Sequence, residues 1–507
     1  VSGEVSATSA VLWARGNRAG TLTFEVAEAD QFTGIIAEGT VEVDESTDYT
    51  GEVLVTGLNP DQQYFYRVSL SADNDTSDAS EAQFTTAPAS STPGELSFVF
   101  SSCVGGLDPC RDPAEGWPIF TTMADEEPDF FILTGDSIYA DVACDTDATT
   151  PGKEAPATEL EGFRTRYRYH LEDAQYASFL AQTPVYVTWD DHEILDNFGG
   201  TELQRYNPQR FDDGIQAYFE YWPITTATIT PTTDVTGTTA LTPTTTLTPT
   251  TTLTPTTTLT PTTGVTDTPT LTPTVTVAPL IGPEDAEHRI YRTASYGQHA
   301  DFFILDTRSY RDPNANWDPN PNTGKPKTML GEEQFAWLQQ SLQQSQATWK
   351  FVVTSVPLSY PTGFPQPEID GRDGWANFME PSGYETELMA LLFFIERNNL
   401  DNVVFLTGDT HWPFALSYDP DRDGEANFYE FGASPMSALP LAPPTIRDQF
   451  DNPQTAIDPT FNPTVLYAEG NFFNFGHIAI DEDGVLTFRV VDEEGTERET
   501  ISLQPEG

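Results

Sequence analysis

The chain has 507 residues, enough for about two or three domains with buried cores. Its 78 Asp and Glu against 23 Lys and Arg give a formal charge of −55. That surface repels nucleic acid and anionic lipid, and no apolar run approaches the roughly 20 residues that span a bilayer.

Residues 1–88 read as a small all-β sandwich. Stretches 9–14, 21–26 and 52–55 alternate apolar and polar residues at period two, with turn signals between them. Leu58, Pro60 and Tyr64 have the spacing of the tyrosine corner of fibronectin-III-like sandwiches. No residue here suggests chemistry, so the expected role is that of a spacer. Residues 87–94, rich in Pro, Ser and Gly, read as a linker.

From residue 95 to 507 short apolar runs alternate with helical stretches, as in a mixed α/β domain. The runs are 96–100, 130–133, 184–187, 302–305, 351–353 and 403–406. Each is too short for a buried helix and rich in Phe, Ile and Val, so each reads as an interior strand. Polar residues follow them: Cys103, then Asp136 and Tyr139, then Asp191 and His192, then Asp306 and Arg308, then Thr354, then Asp409 and His411. Open α/β sheets build their sites past the carboxyl ends of strands. One Asp in such a place is usually a helix cap, which is how Asp190 reads; five or six such ends are not.

Residues 223–280 interrupt this domain with a Thr/Pro tract that cannot bury a core. Strands resume near residue 287, so the tract reads as an insertion in a surface loop. Loop closure costs only logarithmically more with length, so a fold can carry it. It reads as a spacer or as a carrier of O-linked sugar. Near the C-terminus, 475–480 and 485–491 form a hairpin expected to finish the second sheet.

Carboxylate and phenolate oxygens suit hard, highly charged cations. Of six His, only His192 and His411 sit at strand ends. A strand-end set of mostly Asp, with one Cys and one Tyr, fits ferric iron (Fe3+) plus calcium (Ca2+), or other hard ions, better than a His-rich zinc site. Separately, Asp419, Asp421, Asp423, Gly424 and Glu430 fit a calcium-loop template, though without flanking helices. That stretch, 419–430, reads as an additional calcium site or as an acidic turn.

Gly135-Asp136-Ser137-Ile138-Tyr139, Asp190-Asp191-His192-Glu193 and Gly408-Asp409-Thr410-His411 resemble the motif blocks of calcineurin-like metallophosphoesterases, in the variant of the PhoD-type alkaline phosphatases. Val11 to Arg15, Leu305 to Arg311, and Leu330 to Gln334 with Trp337 and Leu338 support this. The resemblance covers nearly all of the chain outside the Thr/Pro tract.

The resemblance implies a four-layer α/β/β/α metallophosphatase sandwich after the β-sandwich. It also implies hydrolysis of phosphate monoesters, diesters or both, with a phospholipid or cell-wall polymer phosphodiesterase as the alternative. Cys103, Asp136, Tyr139, Asp191, Asp409 and His411 would hold metal. His192 would be the general acid or a hydrogen-bond donor in the transition state. Arg308 would clamp phosphate, and Asn197 would support the substrate site. The usual first-block Asp-x-His is absent, and Thr354 stands where a metal-binding His is common. A secreted or cell-surface monomer is expected, with the signal peptide outside this sequence. A disulfide between Cys110 and Cys144 would then leave Cys103 for metal. His170, His288, His299 and His477 read as structural. A non-catalytic adhesion module, suggested by the sandwich and the Thr/Pro tract, is disfavoured by the full set of ligand-type residues.

Overall fold

The computed structural model describes residues 1–73, 75–106, 111, 114–143, 155–224, 275–279, 289–314, 317–319, 324–360, 362, 373–377, 382–443, 445–447, 453–455, 457 and 459–506. Cys110, Cys144, His288 and the Thr/Pro tract up to residue 274 lie outside these residues, and the expected disulfide with them. Val1–Thr226 and Val275–Gly507 form one compact unit.

Two sheets face each other. The first runs, in spatial order, Thr276–Pro279, Thr50–Thr56, Ser9–Arg15, Ser2–Gly3, Val185–Val187, Phe130–Leu133, Leu96–Ser101, Asn474–Ile480, Leu486–Asp492 and Glu497–Leu503. The second runs Arg292–Tyr296, Ala300–Ile304, Trp349–Val353, Val403–Thr407, Phe428–Gly432, Phe414–Tyr418 and Pro463–Ala468. At the heart of each sheet the strands are parallel: Leu96–Ser101, Phe130–Leu133 and Val185–Val187 in one, and Ala300–Ile304, Trp349–Val353 and Val403–Thr407 in the other. Their carboxyl ends therefore lie together within each sheet.

Side-chain alternation makes the layers. Phe98, Phe100, Phe130 and Ile132 point into the space between the sheets, where they meet Phe302, Phe351, Val353 and Leu406. The Phe98 ring stands edge-on to Phe302 and Phe351, with centroids 5.3 and 5.4 Å away. The intervening residues Val99, Phe131 and Leu133 face outward onto helices Ile119–Asp125, Leu160–Leu171, Ala174–Gln182 and Pro208–Tyr221. Phe303, Val352 and Phe405 face helices Gly331–Gln344 and Glu385–Arg397. The result is helix, sheet, sheet, helix. Strands buried on both faces need continuous apolar runs, and the sequence has them.

The C-terminal hairpin differs from expectation. Asn474–Ile480 pairs with Leu96–Ser101, so it extends the first sheet and not the second, and a further strand, Glu497–Leu503, follows it. A period-two pattern fixes which residues point inward but not which sheet edge they join.

The N-terminal sandwich packs a sheet of Ile35–Val43, Gly20–Ala27, Gln63–Ala72, Asp75–Thr76 and Ser80–Thr85 against the N-terminal strands of the first sheet. The Tyr64 hydroxyl accepts a hydrogen bond from the Asn59 N–H at 2.9 Å, which closes the tyrosine corner. This region is joined to the α/β layers more firmly than a spacer needs to be. Ser2–Gly3 pairs in parallel with Val185–Val187. The Trp13 indole donates to the Glu220 carbonyl at 2.8 Å, and Asp48 accepts from Arg15, Arg168 and Tyr221. Thr276–Pro279, expected to belong to the unstructured tract, is instead an edge strand on Thr50–Thr56.

Candidate metal centre

Three of the strand ends that carry candidate ligands turn sharply. Cys103, Asp136, Asp409 and His411 all have positive φ, at 65°, 51°, 64° and 61°. Non-glycine residues adopt this conformation rarely, and its clustering at one place marks a functional site. Two glycines allow the turns to approach each other. A Cβ on Gly135, itself at φ 125°, would lie 2.7 Å from the Asp190 Cβ, and one on Gly408 would lie 2.5 Å from the Ser102 hydroxyl.

Three overlapping donor sets result, each with ligand atoms within 4.8 Å of one another: Cys103, Asp136 and His411; Asp136, Asp191 and His192; and Asp136, Asp190, Asp191 and Asp409. Asp136 is common to all three. In the first set the Cys103 thiol lies 3.3 Å from Asp136 Oδ2, and the Tyr139 hydroxyl lies 3.2 Å from the same oxygen. That hydroxyl is also 2.9 Å from His411 Nε2. His411 Nδ1 sits 2.5 Å from the Leu439 carbonyl, so Nδ1 carries the proton and Nε2 keeps its lone pair for the centre.

Four of the acids here, Cys103, Asp136, Tyr139 and Asp409, resist ionisation. Burial pushes the Cys103 thiol up to about 12, and it raises the Tyr139 phenol and the Asp136 and Asp409 carboxyls above their ordinary values. Like-charged neighbours add to the effect at each. Burial lowers His411 to about 4, which keeps its imidazole neutral. The donor set fits metal ions: the buried oxygens Asp190 Oδ2, Asp191 Oδ1 and Asp409 Oδ2 have no hydrogen-bond partner among the described residues.

His192 behaves differently. Burial opposes its charge, yet the Asp191 and Asp141 carboxylates outweigh burial and hold it at about 10. Its Nδ1 faces Asp141 Oδ1 at 2.8 Å, and its ring stacks on Tyr139 with centroids 4.2 Å apart. Nε2 is thereby left for the centre. Asp191 is held below the usual carboxylate range because His192 and Arg308 offset its burial. The Asn197 backbone N–H, at φ 53°, reaches Asp191 Oδ2 at 2.5 Å, whereas the Asn197 side chain turns to Asp196. Asn197 thus holds Asp191 through its backbone N–H.

Three expectations need correction. Arg308 is not turned toward substrate: it is fully buried, with Nε on Asp190 Oδ1 at 2.5 Å and its terminal nitrogens on Asp373 at 2.8 and 2.6 Å. A phosphate could reach it only by displacing a buried carboxylate. Asp190, read as a cap, instead belongs to the carboxylate cluster. In the 419–430 loop, Asp419, Asp421 and Asp423 do gather, but Glu430 is buried elsewhere. It accepts from Leu358 N at 2.8 Å and from the Tyr418 hydroxyl, so it is not the loop's final ligand.

The remaining strand-end residues are structural. Asp306 accepts from the Trp189 indole and from the Arg308 and Ser309 N–H groups, and the Thr354 hydroxyl accepts from the Trp375 indole. His170, His299 and His477 bond to the Val104 carbonyl, Thr348 and Ser97. Asp141 and Ser434 escaped the sequence reading. Ser434 donates to Cys103 Sγ at 3.2 Å from a loop 331 residues away.

The PhoD-like phosphatase family model matches residues 98–487, and the PhoD-like phosphatase N-terminal domain matches residues 1–88. Alkaline phosphatase D of Bacillus subtilis (strain 168) is 25% identical over 457 residues, spanning 84% of this chain and 66% of the relative, slightly less than two thirds of its length. A solved structure of PhoD superposes with a TM-score of 0.70 at 22% identity, over 100% of this chain and 91% of that one. Purple acid phosphatase PPD1 from yellow lupin (Lupinus luteus) seeds gives 0.57 at 12% identity, over 99% of this chain and 73% of its own. These two likenesses bear on the fold, which is that of the metallophosphatases. With the family model matched across most of its length, this chain belongs to the PhoD-like phosphatase family.

Proposed function

We propose that this protein is a metal-dependent phosphoester hydrolase of the alkaline phosphatase D type, acting on phosphate monoesters, diesters or both outside the cell. The observation that carries the reading is the trio of donor sets sharing Asp136, one of which includes a His192 anchored through Nδ1 by Asp141. Cys103, Asp136, Tyr139 and His411 would hold ferric iron, and Asp136, Asp190, Asp191 and Asp409 would hold calcium. When bound, such ions neutralise phosphate oxygens and make a water nucleophilic at neutral pH. Phenolate and thiolate donors call for a strongly polarising ion, while the four carboxylates suit a hard divalent one.

The protein's own groups supply the rest. Asp141 holds the Nδ1–H of His192, so the ring presents Nε2–H to the reacting phosphate. From there it can stabilise negative charge or give a proton to the leaving oxygen. The Asn197 N–H and the Ser102 and Ser434 hydroxyls hold Asp191 and Cys103 in place. No helix among the described residues is long and apolar enough to cross a membrane, which is compatible with an enzyme released from the cell.

The test is hydrolysis of 4-nitrophenyl phosphate and of bis(4-nitrophenyl) phosphate, each with and without a chelator. Turnover of at least one ester, lost on chelation and regained with iron and calcium, is expected. Hydrolysis of neither ester by the metal-replete protein would overturn the proposal.

A further inference from the structure

Arg308 and Asp373 form a charge pair that no solvent reaches, each with a side chain 0% exposed. On its other side Arg308 donates through Nε to Asp190 Oδ1 at 2.5 Å, and the Ser355 hydroxyl donates to that same oxygen at 2.6 Å. Two donors saturate Asp190 Oδ1, so only Oδ2 is left for the cluster, and it is buried and without a partner among the described residues. Arg308 also lies 3.7 Å from Asp191 Oδ1. Asp373 is anchored in turn by Arg311, whose Nη2 lies 3.3 Å from Asp373 Oδ1 and 3.0 Å from its carbonyl. Arg311 Nε donates to the Tyr384 hydroxyl at 3.0 Å. A continuous polar string therefore leads from Tyr384 to the edge of the centre.

We infer that Arg308 and Asp373 are a positioning pair for the four-carboxylate cluster, fixing Asp190 as a one-oxygen ligand of the divalent cation while touching neither cation nor substrate. This rests on the metal-centre reading given above. The two residues divide the work. Arg308 orients Asp190 and offsets repulsion among Asp136, Asp190, Asp191 and Asp409, so the cluster is assembled before an ion arrives. A lone guanidinium so close would also repel that ion. Asp373 cancels that charge from the far side. Ordered, hydrogen-bonded ligands bind metal more tightly than free ones, and loss of such supporting partners typically costs about 10–100-fold in affinity.

The experiment dialyses the purified full chain against calcium buffers of graded EGTA and measures retained calcium and iron by elemental analysis. Asp373→Asn should weaken calcium retention about tenfold or more, because Arg308 then stands uncompensated, while iron at the Cys103 end stays. Asp373→Asn removes one partner of a buried pair and can fail to fold. Ser355→Ala is the milder companion, removing one of two donors to Asp190 Oδ1, and should weaken calcium retention by about 3–10-fold. Folding of each variant is checked by circular dichroism. A folded variant of either kind that retains calcium like wild type, or loses calcium and iron in parallel, overturns the inference. Wild-type protein that retains neither ion would overturn the metal-centre reading itself.

Discussion

His192 Nδ1 lies 2.8 Å from Asp141 Oδ1, and the other Asp141 oxygen accepts from the Asp196 N–H at 2.6 Å, so one carboxylate fixes both the tautomer and the tilt of the ring. His192→Ala is expected to lower kcat by about 10²–10⁴ while metal content stays near wild type. Asp141→Asn should cost less, about 10–100-fold in kcat, with KM little changed, since the ring remains but its orientation loosens. Elemental analysis beside steady-state kinetics checks both. Loss of metal from His192→Ala would make His192 a ligand instead.

The Cys103 and Tyr139 end of the centre predicts a colour. Phenolate and thiolate on ferric iron absorb visible light by charge transfer, so concentrated native protein should be tinted and iron removal should bleach it. Tyr139→Phe should shift or abolish the band while calcium is retained. A colourless, fully active protein with stoichiometric zinc would overturn the iron assignment.

Glu430 gives a stability prediction. Burial raises its pKa from 4.5 to about 7, so the folded state holds its proton more tightly than the unfolded state does. Its contribution is fully present below about pH 4.5 and is lost as pH rises through about 7. Glu430→Gln, which keeps the acceptor for Leu358 N, should flatten this dependence and gain up to about 3 kcal/mol relative to wild type at pH 8. Urea unfolding at pH 5 and pH 8 measures it. Equal slopes in both proteins would contradict the assignment.

The extent of the Thr/Pro insertion can be tested by where it is cut out. Removing residues 227–274 through a short Gly/Ser bridge should leave fold and turnover intact. Extending the deletion through 279 should cost about 1–3 kcal/mol. It strips an edge strand whose Val277 packs on the N-terminal core, against Gly39, where a Cβ would come within 2.2 Å of Val277 Cγ1. Identical melting temperatures for the two deletions would refute the role of that strand.

The layered fold could be read in the sequence because doubly buried strands leave short Phe, Ile and Val runs, and the candidate ligands follow those runs directly. Asp190 was misread for a local reason. Nothing in the neighbouring residues shows that Asp190 and Asp191 reach one cluster, and the close packing of Gly135 on Asp190, where a Cβ would lie 2.7 Å from the Asp190 Cβ, leaves no local sequence pattern. Arg308 was misread for a distant one. Its partner Asp373 lies 65 positions on, and no local pattern couples them. Ser434 and Asp141 were missed for the same reason as Asp373: a supporting hydrogen bond has no sequence period.

The pairing of strands across the Thr/Pro tract has a consequence for proteolysis. A cut between residues 227 and 274 would divide the polypeptide but not the sheets. Leu96–Ser101 would still hold Asn474–Ile480, and Thr50–Thr56 would still hold Thr276–Pro279. Cys103, Asp136, Tyr139, Asp191 and His192 would fall on one piece, and Arg308, Asp409 and His411 on the other. A nicked preparation should therefore run as two bands on a denaturing gel and elute as one active particle, each half inert until it meets its complement.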